Sequence, residues 1–179
     1  DGSIDLQRAA SVVKIDNVHF PKTRLLCLEN TQDGKVLSLE YLKQAREFAD
    51  EHGLNLHLDG ARVFNAAVKL GIPISKVVQY FDSISVCLSK GLGAPVGSVL
   101  VGSRDLIIRA HRWRKVAGGG MRQAGIIAAG CIHALENHVE RLADDHEKAE
   151  RLVSGFADMD ELELLPHTGQ TNMVFLSSD

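Results

Sequence analysis

No apolar run in this sequence approaches the roughly 18 residues that a helix needs to cross a bilayer, so no membrane partner is expected. The opening DGSIDLQRAAS is polar and has none of the apolar character of a secretory leader. Cysteine is scarce. Cys27, Cys87 and Cys131 stand far apart, each inside an apolar segment, which argues against a disulfide framework or a spaced zinc motif. The expectation is of reduced, buried thiols in a cytoplasmic protein. An excess of either charge is missing too: the formal net charge is −3, which gives no electrostatic reason to expect nucleic acid. An initiator methionine is also absent, and TNMVFLSSD stops just after a strand-like run. Both ends are expected to be cuts in a longer polypeptide.

What is present is ordinary for a globular protein: 45% hydrophobic and 24% charged residues in a chain of 179, enough for one domain or one domain and part of another. Strand-like runs lie at Thr23–Asn30, LNLHLD, SISVCLS and GSVLVGS. Helical spacing marks SLEYLKQAREFADEHG, with Ser38 as N-cap and Gly53 as the stop, and ARVFNAAVKLG, ending at Gly71. RDLIIRAHRWRK is a further helix with five cations in twelve residues, either a phosphate-binding surface or simply a solvated face. From Met121 to Phe156 a helical pattern free of proline predicts one long helix. New strands are expected at LELLP and NMVFLS. Strands alternating with helices imply an α/β fold with a mostly parallel sheet covered on both faces, and ligands gather at the carboxyl ends of such strands.

Two residues stand at strand ends of this kind. Asp59 closes HLDGAR, and Lys90 follows SISVCLS at the head of the tight turn KGLGAP. A strand-end amine can form a Schiff base with an aldehyde, and Gly91 and Gly93 let the backbone pass close to a flat ligand. Taken alone, a lone Ser-Lys-Gly is weak evidence, and a structural or surface lysine is the first reading. Asp59 shifts that balance, because pyridoxal 5'-phosphate needs an acidic partner beneath its pyridine nitrogen. Arg62 lies one helical turn further on, where it faces the same ligand or pairs with an aspartate that merely caps the helix. His57 and Asp59 form a His-x-Asp pair, but no third and fourth ligands stand at convincing spacing, so no metal is expected. AGGGMRQAG places Arg122 in the first turn of a helix, as an anion site or as a hinge.

The segments LENTQDGKVL, LHLDGARVFNA, DSISVCLSKGLGAPVGSVLVG and RWRKVAGGGMRQAGI, in this order and spacing, resemble the low-specificity L-threonine aldolases. The resemblance runs from about Asp16 to Phe175. It implies a fold-type-I, three-layer pyridoxal-phosphate enzyme, a homotetramer (dimer of dimers) that splits L-threonine or L-allo-threonine into glycine and acetaldehyde. By the same resemblance Lys90 is the Schiff-base lysine, Asp59 the partner of the pyridine nitrogen and Arg62 the arginine near the phenolic oxygen. His19 would lie near the substrate side chain as candidate base, and Lys115 and Arg122 match basic residues of the family. Gln32 departs from the histidine common at that position and cannot act as a base near neutral pH.

The resemblance further implies a phosphate-cupping turn and a ring-stacking histidine before Asp1, and a carboxylate-binding arginine after Asp179. Residues 1–145 would then form part of a large cofactor-binding domain ending in a long linking helix, and residues 146–179 the start of a small α+β domain. Two other readings stay open: cleavage of another β-hydroxy amino acid such as phenylserine or serine, and a non-catalytic piece that keeps only an assembly interface.

Overall fold

The computed structural model describes residues 2–178. After a short helix, α1 (Leu6–Val12), the chain forms β1 (Leu25–Glu29), α2 (Leu39–Glu51), β2 (Asn55–Gly60), α3 (Val63–Leu70) and α4 (Ile74–Val78). There follow β3 (Ser83–Cys87), β4 (Ser98–Gly102), α5 (Arg104–Val116), α6 (Gly125–Asn137), α7 (Leu142–Phe156), β5 (Leu162–Leu164) and β6 (Leu176–Ser178). The first four strands make one sheet in the order β1-β2-β3-β4. The pairs β1–β2 and β2–β3 are parallel, whereas β4 runs antiparallel to β3. β5 and β6 form a separate antiparallel pair.

Strand periodicity decides which side of the sheet is dry. Leu28, Leu56, Leu58 and Ile84 point to the face covered by α2 and α3 and are buried with Leu42, Ala45, Phe48, Ala49, Val63 and Val77. The helix ends match the sequence reading. The Ser38 hydroxyl accepts from the Tyr41 N–H at 3.1 Å, and Gly53 and Gly71 take left-handed conformations with φ of 63° and 64°.

Two expectations are corrected, while the two faces of the sheet prove unequally covered. Opposite α2 and α3, residues of α5 line the second face beside His57, Ser83, Ser98 and Leu100, but Leu25, Cys27, Glu29, Asn55 and Asp59 are exposed there, and every residue of β4 is exposed. The long helix from Met121 is two helices. α6 begins at Gly125 and stops at Asn137, and α7 begins at Leu142. The break has a packing cause, because turning the chain at 138–141 buries Leu142 and Ala134 against Leu88, Leu92 and Ala94. The cysteines are not buried: Cys27 is exposed, and Cys87 and Cys131 are half-buried. Cys27 sits on the open face of an edge strand, where alternation places it beside Leu25 and Glu29.

Candidate active site

Parallel pairing brings the carboxyl ends of β2 and β3 together, with Asp59 opposite Ser85. Close approach at this end requires a glycine. A Cβ on Gly60 would lie 2.9 Å from the Ser85 carbonyl oxygen and 3.0 Å from Ile84. Beyond β3 the chain turns tightly: the Gly93 N–H donates to the Lys90 carbonyl at 2.8 Å and the Ala94 N–H to the Leu88 carbonyl at 3.0 Å. Gly93, with a φ of 73°, takes the left-handed step that this turn needs. Lys90 therefore stands at the rim of the sheet beside Asp59. The two line one cavity of about 300 Å3 together with Ala61, Ser85, Val86, Cys87 and Ser98.

The side chains around the cavity carry complementary charge. Asp59 Oδ1 accepts from the Ala61 N–H at 3.0 Å, so the carboxylate is steered by the turn that starts α3. Burial pushes the Cys87 thiol up, but the Ser89 hydroxyl and amide, the Ser98 hydroxyl and the charge of Lys90 outweigh it and leave its pKa below that of an ordinary cysteine. On the open face, burial and the nearby charge of Asp59 push the Cys27 thiol up. His57 shares that face, with Nδ1 2.8 Å from the Ser83 hydroxyl. Among the described residues no cluster of His, Cys, Asp or Glu is arranged to hold a metal ion.

The other predicted residues lie outside this lining. Arg62 is the half-buried residue that precedes α3, and its side chain makes no capping bond. His19 is exposed in a turn, its backbone N–H donating to Asn17 Oδ1 at 2.9 Å. Arg122 lies in the loop before α6 rather than in its first turn, because the helix begins three residues later at Gly125. Lys115 lies in the last turn of α5, near Gly120. Gln32 sits in the turn after β1, where its Nε2 donates to Asp33 Oδ2 at 2.8 Å. Sequence reasoning does not single out Ser85, Ser98 or Ala61. The available signal was alternation, since Ser85 and Cys87 share a face of β3 two residues apart and Ser98 pairs with Cys87.

These residues suit one end of a flat aldehyde cofactor. A carboxylate and an amine share the lining, and Ala61 and Ser85 between them are short enough to leave the cavity open. The low-specificity L-threonine aldolase of Escherichia coli (strain K12) is 52% identical over 98% of this chain and 52% of its own length. Low-specificity L-threonine aldolase 1 of Arabidopsis thaliana is 44% identical over 100% of this chain and 51% of its own. The chain thus spans about half the length of these relatives. The fold also matches the threonine aldolase of Leishmania major, with a TM-score of 0.84 at 21% identity over 98% of this chain and 53% of that one. The family described as beta-eliminating lyase matches residues 1–179, the whole of the sequence, and the chain belongs to it.

Proposed function

We propose that this chain supplies the cofactor-holding part of a pyridoxal-phosphate-dependent aldolase that cleaves L-threonine or L-allo-threonine to glycine and acetaldehyde. One observation carries the reading: Asp59 and Lys90, 31 residues apart in sequence, line one cavity at the end of a parallel sheet. When bound, the cofactor withdraws electrons through its ring, so that the Cα–Cβ bond of a β-hydroxy amino acid can break. Lys90 would hold the cofactor's aldehyde carbon until the substrate amine displaces it. Asp59 would keep a proton on the ring nitrogen, and Arg62 would meet the phenolic oxygen. His19, directly or through a water it orients, would take the β-hydroxyl proton. Arg122 would meet an anionic group of the cofactor or substrate.

The same reading assigns residues up to about 145 to a large cofactor-binding part and those from 146 to the start of a small one. It also has the whole protein assembling as a homotetramer in the cytoplasm. Apolar side chains left exposed on α5 and α6 support assembly, Trp113 at 71% and Ile126 at 86%. Three cysteines without a disulfide support a reducing compartment.

Borohydride reduction of the full-length protein loaded with pyridoxal phosphate should fix the pyridoxyl group on Lys90. Recovery of the label on Lys115 or Lys69 would sink the assignment. Release of glycine from threonine, allo-threonine, serine and phenylserine, compared side by side, decides the substrate.

A further inference from the structure

The turn that carries Lys90 is held from behind by the corner between α6 and α7. Its own backbone bonds, Gly93 to Lys90, Ala94 to Leu88 and Leu88 to Gly97, close the turn on itself and on the start of β4. They do not tie it to the helices. Besides the Cys131 thiol of α6, which donates to the Val96 carbonyl at 3.2 Å, two contacts with the corner do. The first is His138, immediately after α6, whose Nδ1 lies 2.6 Å from the Leu92 carbonyl oxygen. A carbonyl only accepts, so the imidazole carries its proton on Nδ1 and donates. The second is Leu142, the first residue of α7, which is 1% exposed. Its Cδ2 reaches to 2.9 Å from where a Cβ on Gly91 would stand, so the residue next to Lys90 rests directly on it.

Apolar packing continues the grip. Leu88, Leu92 and Ala94 of the turn are buried with Ala134 and Leu142 in a cluster separate from the core under the sheet, and Val139 packs on it. The corner itself is anchored. Asn65 of α3 and His146 of α7 are both buried, with Asn65 Nδ2 3.1 Å from His146 Nε2. The amide nitrogen only donates, so His146 accepts at Nε2 and is neutral. Burial and the charge of Lys69, opposed by Asp145, hold its pKa below the ordinary histidine value, which agrees with that protonation state.

We propose that His138 is a positioning residue for Lys90: by holding the Leu92 carbonyl, it fixes where the lysine turn sits on the α6–α7 corner. The inference rests on the reading of Lys90 as the lysine that binds the cofactor. His138 touches neither substrate nor cofactor. It acts through the turn, and a reacting amine displaced by about 1 Å can lose a hundredfold in rate.

The test compares two substitutions in the full-length protein. His138→Asn keeps a donor near the position of Nδ1, and His138→Leu keeps bulk without a donor. In the cofactor-free protein, His138→Leu should speed hydrogen exchange at the Gly93 and Ala94 amides by about tenfold or more. In the loaded protein it should slow kcat and borohydride-trappable binding at Lys90 by about tenfold to a hundredfold, with KM for the amino acid within about twofold. His138→Asn should stay within about threefold of the parent in every measurement.

Unchanged exchange in a folded His138→Leu variant overturns the proposal. So does faster exchange with unchanged turnover and trapping, because the bond would then hold the turn without placing the amine. Should His138→Leu not accumulate as folded protein, His138→Met, which also lacks the donor, takes its place and carries the same two readouts with the same overturning results. The exchange measurement needs no cofactor, so it judges the seat of the turn even if the label falls on another lysine and the reading of Lys90 fails.

Discussion

The Oδ1 atom of Asp59 accepts from the Ala61 N–H, while its carboxylate charge faces the cavity that holds Lys90. One substitution separates the two roles. Asn at this position offers a carbonyl oxygen to Ala61 and keeps the turn, yet carries no charge. Asp59→Asn should therefore fold normally and retain some cofactor but lose turnover by about a hundredfold or more, because a neutral amide cannot keep a ring nitrogen protonated. Steady-state kinetics with circular dichroism checks this, and near-parental activity in a folded variant would return Asp59 to turn-capping alone. At the same scale, the thiols show how neighbours set chemistry: Cys87, beside serine hydroxyls and Lys90, is more acidic than usual, and Cys27, beside Asp59, is less so.

Among the elements, the joint between α2 and the sheet depends on one ion pair. Arg46 of α2 reaches Asp82, just before β3, at 2.9 Å and the carbonyls of Leu54 and Tyr80 at 3.3 and 3.4 Å. Asp82 also accepts from the Leu56 N–H of β2 at 2.7 Å. Burial works to raise the Asp82 pKa, but the Leu56 N–H and the Arg46 guanidinium outweigh it, and the carboxyl lies below its usual value. The sign follows from linkage. A depressed folded-state pKa contributes stability in full above the unfolded value of about 3.9, and that contribution fades as pH falls through the folded value. Asp82 is half exposed, so solvent screening limits the gain to about 1 kcal/mol. Asp82→Asn should lower Tm at neutral pH and flatten its fall below about pH 4. Parallel acid profiles for the parent and the variant would remove the pair from the account.

For the whole molecule, the open side of the sheet dominates. β4 is exposed along its length, with Val99, Leu100 and Val101 at 45%, 40% and 47%. Among the described residues the cavity is lined by those between Asp59 and Ser98, and the phosphate of a bound cofactor would need donors beyond its serines and Lys90. Residues 1–179 expressed alone should be poorly soluble or dependent on a partner, bind pyridoxal phosphate weakly and cleave no threonine. Supplying the amino-terminal part of a full-length relative, as a fusion or a second chain, should restore absorbance near that of a loaded enzyme together with activity. A soluble, yellow and active 179-residue chain would mean that the site is built from these residues alone.

The sequence by itself determined the alternation of strands and helices, the caps at Ser38, Gly53 and Gly71, and the two strand-end residues Asp59 and Lys90. Each of these rests on local chemistry: period, capping groups and the residues that end an apolar run. Tertiary structure decided the rest. Whether Asp59 and Lys90 meet depends on β2 pairing parallel with β3, and pairing is a contact between segments distant in sequence. The antiparallel turn of β4 and the break of the long helical pattern at 138–141 were equally illegible. Nothing local forbids a continuous helix there, and the bend is set by burying Leu142 and by the bond from His138 to Leu92. The cysteines were misread for the same reason: an apolar neighbourhood in sequence does not say which face of a strand is covered.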